Sequence, residues 1–256
     1  MTETRRGIIG WGLAGLSTLW LAGCDRIAEA PSALKVIDKV EDLTRAAQRL
    51  LIGNALAPEF TEADISPAFR ANGSTDVDDD TYKALAKKGF AGWKLKVDGL
   101  VEKPLALSLE QLRKMPSRTQ ITRHDCVEGW SCIGKWTGVP LKAVLDEAGV
   151  KPDARYVVFH CADSLEDDDQ GNPVPFYGSI DLHDADHPQT ILAYEMNDKT
   201  LPVPYGAPLR LRLERQLGYK MSKYIMRIEL VSSLSQIGRG KGGYWEDRGY
   251  DWYAGI

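Results

Sequence analysis

Residues 121–140 read ITRHDCVEGWSCIGKWTGVP, a density of Cys, His, Trp and Gly unusual for a loop. Side chains this expensive to place on a connection mark a site candidate. Cys126 falls just past a predicted strand and is followed by Glu128, Gly129 and Trp130. Gly129 lets the backbone turn tightly, and Trp130 and Trp136 can wall a dry pocket. A thiolate presented in this way suits a soft or high-valent metal centre, or serves as a nucleophile.

Outward from that stretch, 256 residues carry 32 basic and 36 acidic side chains, a formal charge of -4, with 43 % hydrophobic content. Such a balance excludes a disordered chain and a nucleic-acid-coating protein, which needs a dominant basic stripe. Four cysteines, Cys24, Cys126, Cys132 and Cys161, are too few for a disulfide scaffold. The chain opens with Arg5-Arg6, an apolar run from Gly7 to Gly23, and then Cys24-Asp25. That order of charge, apolar stretch and small residues is the order of an export signal. Leu21-Ala22-Gly23-Cys24 resembles a bacterial lipobox, which implies a diacylglyceryl anchor on Cys24, and the Arg pair resembles a twin-arginine signal. Asp25 resembles the inner-membrane retention signal of lipoproteins, so the expected location is periplasmic, lipid-anchored to the inner membrane. Cleavage before Cys24 leaves 233 residues with a net charge of about -5. In that compartment Cys132 and Cys161 are free to form a disulfide.

Apolar positions from Val36 to Leu51 recur at spacings of three and four, predicting a helix over 33–52 with Ser32 at its start and Gly53 at its end. The run Asp76-Val77-Asp78-Asp79-Asp80 reads as a solvated loop. From Trp93 to Asp98 the period is two, a half-buried strand. Ser108 caps a short helix that stops before Pro116, and Pro140 opens another over Leu141–Ala148, closed by Gly149. Further strand-like runs fall at 155–161, 190–196, 209–213 and 224–231. Short helices among mainly β segments, without βαβ alternation, indicate an α+β domain with mixed sheets.

Cys126-Val127-Glu128-Gly129-Trp130-Ser131 resembles the Cys motif of the sulfite-oxidase superfamily of molybdopterin enzymes, most closely the branch of the periplasmic methionine-sulfoxide reductase catalytic subunits. About 90 residues on, Gly206-Ala207-Pro208-Leu209-Arg210-Leu211, Gly218-Tyr219-Lys220 and Lys223 resemble that family's late strand and pterin-binding turn, where amides and a cation hold the cofactor phosphate. The likeness runs from about Phe69 to Ser233. It implies a sulfite-oxidase-like molybdopterin-binding fold, Cys126 as the molybdenum ligand, and one molybdopterin. It also implies cofactor contacts at Arg70, Asn72, Cys161, Tyr205, Arg210, Gly218, Tyr219, Lys220 and Lys223. Arg123, His124, Trp130 and His160 are then the candidates for the substrate-facing wall. Cys161 stands where the reductase branch has Thr, and Tyr205 where it has Asn. The length leaves no room for the immunoglobulin-like dimerisation domain of the sulfite oxidases, so a monomer is expected.

The resemblance implies oxygen-atom transfer between molybdenum and a small or protein-bound oxidised substrate such as a sulfoxide. Electrons come from a membrane haem protein or a cytochrome c, because the chain has no haem or iron-sulfur motif of its own. The expected organisation is a signal over 1–23, an anchor segment and helix over 24–60, an oxidoreductase domain over 61–235, and an aromatic tail over 236–256 packing onto it. Alternatives remain open: sulfite-type oxidation, a zinc site drawn from His124, Cys126, Cys132, His160 and Cys161, a Cys126 nucleophile with His124 or His160 as base, and a binding protein without catalysis. The acidic run from Glu166 to Asp169 reads as a solvated loop or a docking patch for a basic electron carrier.

Overall fold

The computed structural model describes residues 31–256; the leader, with Arg5, Arg6 and the lipidation candidate Cys24, lies outside them. The chain divides into two compact units, 1–53 and 54–256. The described residues of the first form a helix, α1 (Pro31–Ile52), ended by Gly53 at φ 54°. It starts before Ser32, so that residue sits in the first turn and not at the cap. No helix among the described residues is long and apolar enough to cross a membrane.

The second unit holds two mixed or antiparallel sheets. β1 (Lys94–Gly99), β2 (Leu105–Ser108), β5 (Tyr156–Asp167), β6 (Pro173–Asp181) and β10 (Ile225–Val231) form a five-stranded sheet in the order β2-β1-β10-β5-β6, with β1 and β10 parallel. β3 (Arg118–Asp125), β4 (Ser131–Pro140), β7 (Ile191–Met196) and β8 (Lys199–Thr200) form the second sheet, and β9 (Arg210–Arg212) pairs with β7. Alternation builds the first sheet: Leu95 and Val97 point inward between Lys94, Lys96 and Asp98. Their inner face packs against Val157, Phe159, Ile228 and Leu230, and against Val144 and Leu145 of α4 (Leu141–Ala148). A second cluster gathers Phe69, Trp136, Ile191 and Ala193 on the second sheet.

The short helices arise from their caps. Ser108 and Gln111 form a reciprocal capping box at the start of α3 (Leu109–Lys114). The acidic run is the exposed loop expected as far as Asp79, and only Asp80 enters α2 (Asp80–Lys87): Asp79 caps that helix, accepting from the Tyr82 amide at 2.6 Å, and Asp78 pairs with Lys83. Carboxylates at a helix N-terminus meet unpaired amides and the positive end of the dipole, so this run has a structural use.

Residues 121–140, read as a loop, form a β-hairpin with His124 opposite Cys132 and Asp125 opposite Ser131. Its inward residues Gln120, Thr122 and His124 are polar and buried, which hides the period-two signal from a hydrophobicity reading. Cys132 and Cys161 are free thiols in this structure, not a disulfide.

Candidate cofactor and substrate cavity

Cys126 occupies the five-residue turn between β3 and β4. Its amide donates to the Trp130 carbonyl at 2.9 Å, and its own carbonyl accepts from the Gly129 amide at 3.0 Å. Gly129 closes the turn at φ 83°, a conformation that disfavours a Cβ. A rigid hairpin therefore holds the thiol at the edge of a cavity of about 130 Å³. Burial raises the Cys126 thiol pKa, with the Glu128 charge adding to the shift.

Six residues singled out from the sequence face this cavity or stand directly behind it. Asn72, Gly218, Tyr219 and Lys223 line it together with Cys126, and Arg210 lies beside Lys223 and lowers its pKa. Gly218 comes so close to the hairpin that a Cβ there would stand 2.4 Å from the His124 ring. Tyr205 sits on the same side, its hydroxyl donating to the Phe69 carbonyl at 2.8 Å and its carbonyl accepting from Arg210 at 2.9 Å. Cys161 is buried next to Asp163 and Lys223, and burial raises its thiol pKa well above the ordinary range.

The electrostatics behind the thiol are unbalanced. Arg210 is fully buried, stacked 4.9 Å from the Trp136 ring centre, and burial lowers its pKa to about 9. Its Nε and Nη2 have no hydrogen-bond partner, and neither do Asn72 Oδ1 and Asp163 Oδ1. Burial and the charge of Arg210 bring Lys223 down to about 7, and its Nζ donates only to the Ser74 and Pro204 carbonyls. Arg212, in contrast, is fully paired: Nε and Nη2 reach the two oxygens of Glu214 at 2.9 and 2.7 Å, and Nη1 faces His124 Nδ1 at 3.1 Å. Buried polar atoms left unpaired are destabilising, and a buried cation without an anion more so. An anionic group with several acceptors fits the donors of Arg210 and Lys223, donor groups on the same ligand fit the Asn72 and Asp163 oxygens, and Cys126 adds one soft ligand on the same cavity.

Four sequence candidates lie elsewhere. Arg123 points outward from β3 and pairs with Asp125 at 2.9 Å. His124 is buried among Phe69, Trp130 and Arg212, and burial and the neighbouring cations hold its pKa well below the usual imidazole range. It is neutral, and its Nδ1 accepts from Arg212, so it backs the hairpin and does not face substrate. His160 lies on the opposite face of β5 from Cys161, in a separate groove, hydrogen-bonded to Glu229 at 2.8 Å. Lys220 turns away from the cavity into a buried ion pair with Glu246. Trp130 and Arg70 form the rim: Arg70 stacks on Trp130 at 5.2 Å, and both bind Glu128.

Sequence reading missed Asp163, Ser74 and Phe176, which line the cavity; Trp245 and Tyr250, read only as part of an aromatic tail that packs on the domain or shapes a pocket mouth, line it as well. The period of β5 signals Asp163, two residues beyond Cys161 on the same face. Nothing local signals the tail residues, whose position depends on tertiary packing.

The five residues considered for zinc do not converge. Among the described residues no group of three or more His, Cys, Asp or Glu side chains could hold a metal ion. Cys126 also has neither histidine available as a base: His124 Nδ1 is committed to Arg212, and His160 lies in another groove. What remains is a single thiol facing a cavity lined by Lys223 and one carboxylate, Asp163, with two unpaired nitrogens of Arg210 behind it, so that buried cations outnumber buried anions there, an arrangement that suits a metal held through a large, charged organic ligand.

Residues 83–237 match the oxidoreductase molybdopterin binding domain, and the chain belongs to that family. It is 39 % identical, over 95 % of its length and 84 % of the relative's, to the "Putative protein-methionine-sulfoxide reductase subunit YedZ1" of Azospira oryzae. It is also 38 % identical to the protein-methionine-sulfoxide reductase catalytic subunit MsrP of Xanthomonas axonopodis pv. citri, over 61 % of this chain and 50 % of that one. The MsrP of Campylobacter jejuni is 35 % identical over 54 % of this chain and 49 % of its own. The chain thus spans about half the length of the MsrP relatives it matches. Among solved structures it resembles the sulfane dehydrogenase SoxCD of Paracoccus pantotrophus, with a TM-score of 0.47 and 25 % identity, covering 55 % of this chain and 38 % of that one. The α+β, molybdopterin-binding fold expected from the sequence is the fold of this family, and the chain is a molybdenum-dependent oxidoreductase.

Proposed function

We propose that this chain reduces sulfoxides, with methionine sulfoxide in proteins or small molecules as the substrate class and an external haem protein as the electron source. The observation that carries the reading is the cavity itself. Cys126 faces it across from Lys223 and Asn72, in a chain 39 % and 38 % identical to proteins named as methionine-sulfoxide reductases. The reaction consumes one sulfoxide, two protons and two electrons, and yields one thioether and one water.

When bound, the molybdenum cofactor supplies the two-electron oxygen-atom chemistry and accepts its electrons one at a time. Cys126 Sγ is the protein's ligand to the metal, held in place by the Trp130 and Gly129 backbone bonds. Lys223 and Asn72 on the cavity wall, with Arg210 behind Lys223, would supply the donors and acceptors that hold the pterin and its phosphate, and Gly218 lets that wall close onto His124 of the hairpin. The pair Arg212–Glu214, with Gln120 donating to Glu214 at 2.8 Å, braces His124 behind the hairpin and fixes the direction of the thiol. Glu128 and Trp130 stand at the entrance, where the oxidised sulfur enters.

Export also belongs to this reading. The Arg5-Arg6 leader and the lipobox at Cys24 support a periplasmic protein anchored by a diacylglyceryl cysteine, which supplies enough acyl chain for stable attachment. Cys24→Ala is expected to leave the protein soluble or unprocessed. Membrane fractionation after a salt wash checks this, and retention of the variant on membranes contradicts the anchor.

The functional test is turnover by the molybdenum-loaded protein with a reduced viologen dye as donor and N-acetylmethionine sulfoxide amide as acceptor. Formation of the thioether in proportion to dye oxidised supports the reading. Oxidation of sulfite with cytochrome c as acceptor, without sulfoxide turnover, replaces it with the sulfite-type alternative.

A further inference from the structure

The tail beyond residue 237 lies outside the family-matched region, yet it supplies one side of the Cys126 cavity through Trp245 and Tyr250. Their rings pack 5.2 Å apart, and Tyr250 leans on Tyr219 at 5.1 Å. Internal bonds fix this wall. Lys220 pairs with Glu246 in the interior, Tyr177 donates to Asp247 at 2.5 Å, and Tyr219 donates to the Asp251 carbonyl at 2.7 Å. An outer recess of about 590 Å³ shares Trp245, Leu165 and Glu128 with the cavity and forms its approach.

Charge at that approach is matched one for one. Arg70 pairs with Glu128 at 3.5 Å and stacks on Trp130. Arg248 pairs with Glu166, donates to the Tyr244 carbonyl at 2.6 Å, and stacks 3.5 Å from the Tyr244 ring centre. An oxoanion entering here finds no uncommitted cation on the rim and loses hydration without compensation. A neutral, dipolar S-oxide with alkyl groups loses far less hydration than an ion does and gains contact with aromatic faces, to which sulfur and methyl groups are attracted.

We propose that Trp245 and Tyr250 are the specificity-determining residues of this site, receiving the alkyl substituents of a neutral sulfoxide and disfavouring oxoanions such as sulfite. The inference rests on the sulfoxide-reductase reading and adds to it the residues that select the substrate.

The test uses molybdenum-loaded wild type, Trp245→Leu, Trp245→Phe and Tyr250→Leu, each checked for molybdenum content and melting temperature. KM and kcat are measured for dimethyl sulfoxide, methyl butyl sulfoxide and N-acetylmethionine sulfoxide amide. Binding of the last is also followed without turnover, by quenching of intrinsic fluorescence in the oxidised enzyme and, for variants lacking Trp245, by calorimetry. Loss of one aromatic contact is worth about tenfold. KM and the dissociation constant for the two larger sulfoxides are therefore expected to rise by about that factor in Trp245→Leu and Tyr250→Leu. In those variants kcat stays within about threefold, dimethyl sulfoxide changes less, and Trp245→Phe recovers most of the loss. Unchanged KM and binding in both Leu variants, with melting temperature intact, overturns the proposal. So does a uniform fall in kcat for every substrate, which marks a merely structural tail. If the loaded wild type turns over no sulfoxide, the functional reading fails, and the binding titration separately decides whether this wall takes up a sulfoxide.

Discussion

Lys220 and Lys223 are three residues apart, both buried, and meet their charge in opposite ways. Lys220 has Glu246 within the protein and lies 5.2 Å from the Trp252 ring centre. Lys223 hydrogen-bonds to carbonyl oxygens alone, with the Asp163 carboxylate nearby, and its pKa is brought down to about 7 by burial and by Arg210, itself buried with two nitrogens unpartnered. The first arrangement is complete and joins the tail to the domain. The second sets two buried cations, Lys223 and Arg210, against the single carboxylate of Asp163, and under the proposed reading a cofactor phosphate meets the excess. A buried cation therefore reports function through what fails to neutralise it, and sequence likeness alone treats these two lysines as equals.

The comparison breaks first at Glu246. Removing the carboxylate leaves Lys220 buried and unpaired, so Glu246→Ala is expected to cost about 3–5 kcal/mol in denaturant unfolding. The double replacement Lys220→Met with Glu246→Leu should recover most of it. A loss under 1 kcal/mol in the single variant shows that the pair is not what secures the tail.

Gly218→Ala attacks the other side. Its Cβ would stand 2.4 Å from the His124 ring and 3.3 Å from the Asp125 carbonyl, and overpacking of that kind costs about 1–3 kcal/mol. The expected outcome is destabilisation of that size together with most of the bound molybdenum lost, measured by melting and by metal analysis.

Lys223→Met sharpens the contrast through pH. The folded pKa of about 7 lies below the unfolded value near 10.5, so between these values the unfolded chain binds a proton that the folded chain does not. Stability of the cofactor-free wild type should rise with pH through that window, by linkage. In Lys223→Met this rise is absent, so the variant gains most near pH 7 and its advantage shrinks toward pH 10, while cofactor retention falls. Urea titrations of both proteins across the window measure this; equal pH dependence of the two contradicts the unmatched charge. Smallest is Ser108→Ala, which removes half a capping box far from the cavity and should cost about 1 kcal/mol without altering molybdenum content.

The parts of the molecule legible in the sequence are those set by local rules. The Ser108 cap, the Gly149 helix end, the alternation of β1 and the Cys126 turn all follow from neighbours a few residues away. His160 illustrates where that stops. The expectation sets it on the substrate-facing wall, but consecutive strand residues face opposite ways, so while Cys161 turns toward Lys223, His160 joins Glu229 and Arg227 on the far face of β5. The hairpin was hidden because its inward positions are polar, serving the network of Gln120, His124, Arg212 and Glu214 and not a greasy core. The aromatic tail invites a role at a pocket mouth, but which of its rings reach the cavity is not legible, because the contacts that bring Trp245 and Tyr250 to Cys126 span more than a hundred positions of chain.

The central claim, that Cys126 carries molybdenum on a molybdopterin held by this inner wall, is tested most directly by metal analysis. Wild type and Cys126→Ser are produced in a host that makes the cofactor, and molybdenum and zinc are measured per chain alongside turnover. The account predicts about one molybdenum and no zinc per wild-type chain, with turnover abolished in the variant because a hard oxygen replaces a soft sulfur. Zinc in the wild type, no metal at all, or full activity in Cys126→Ser would contradict it.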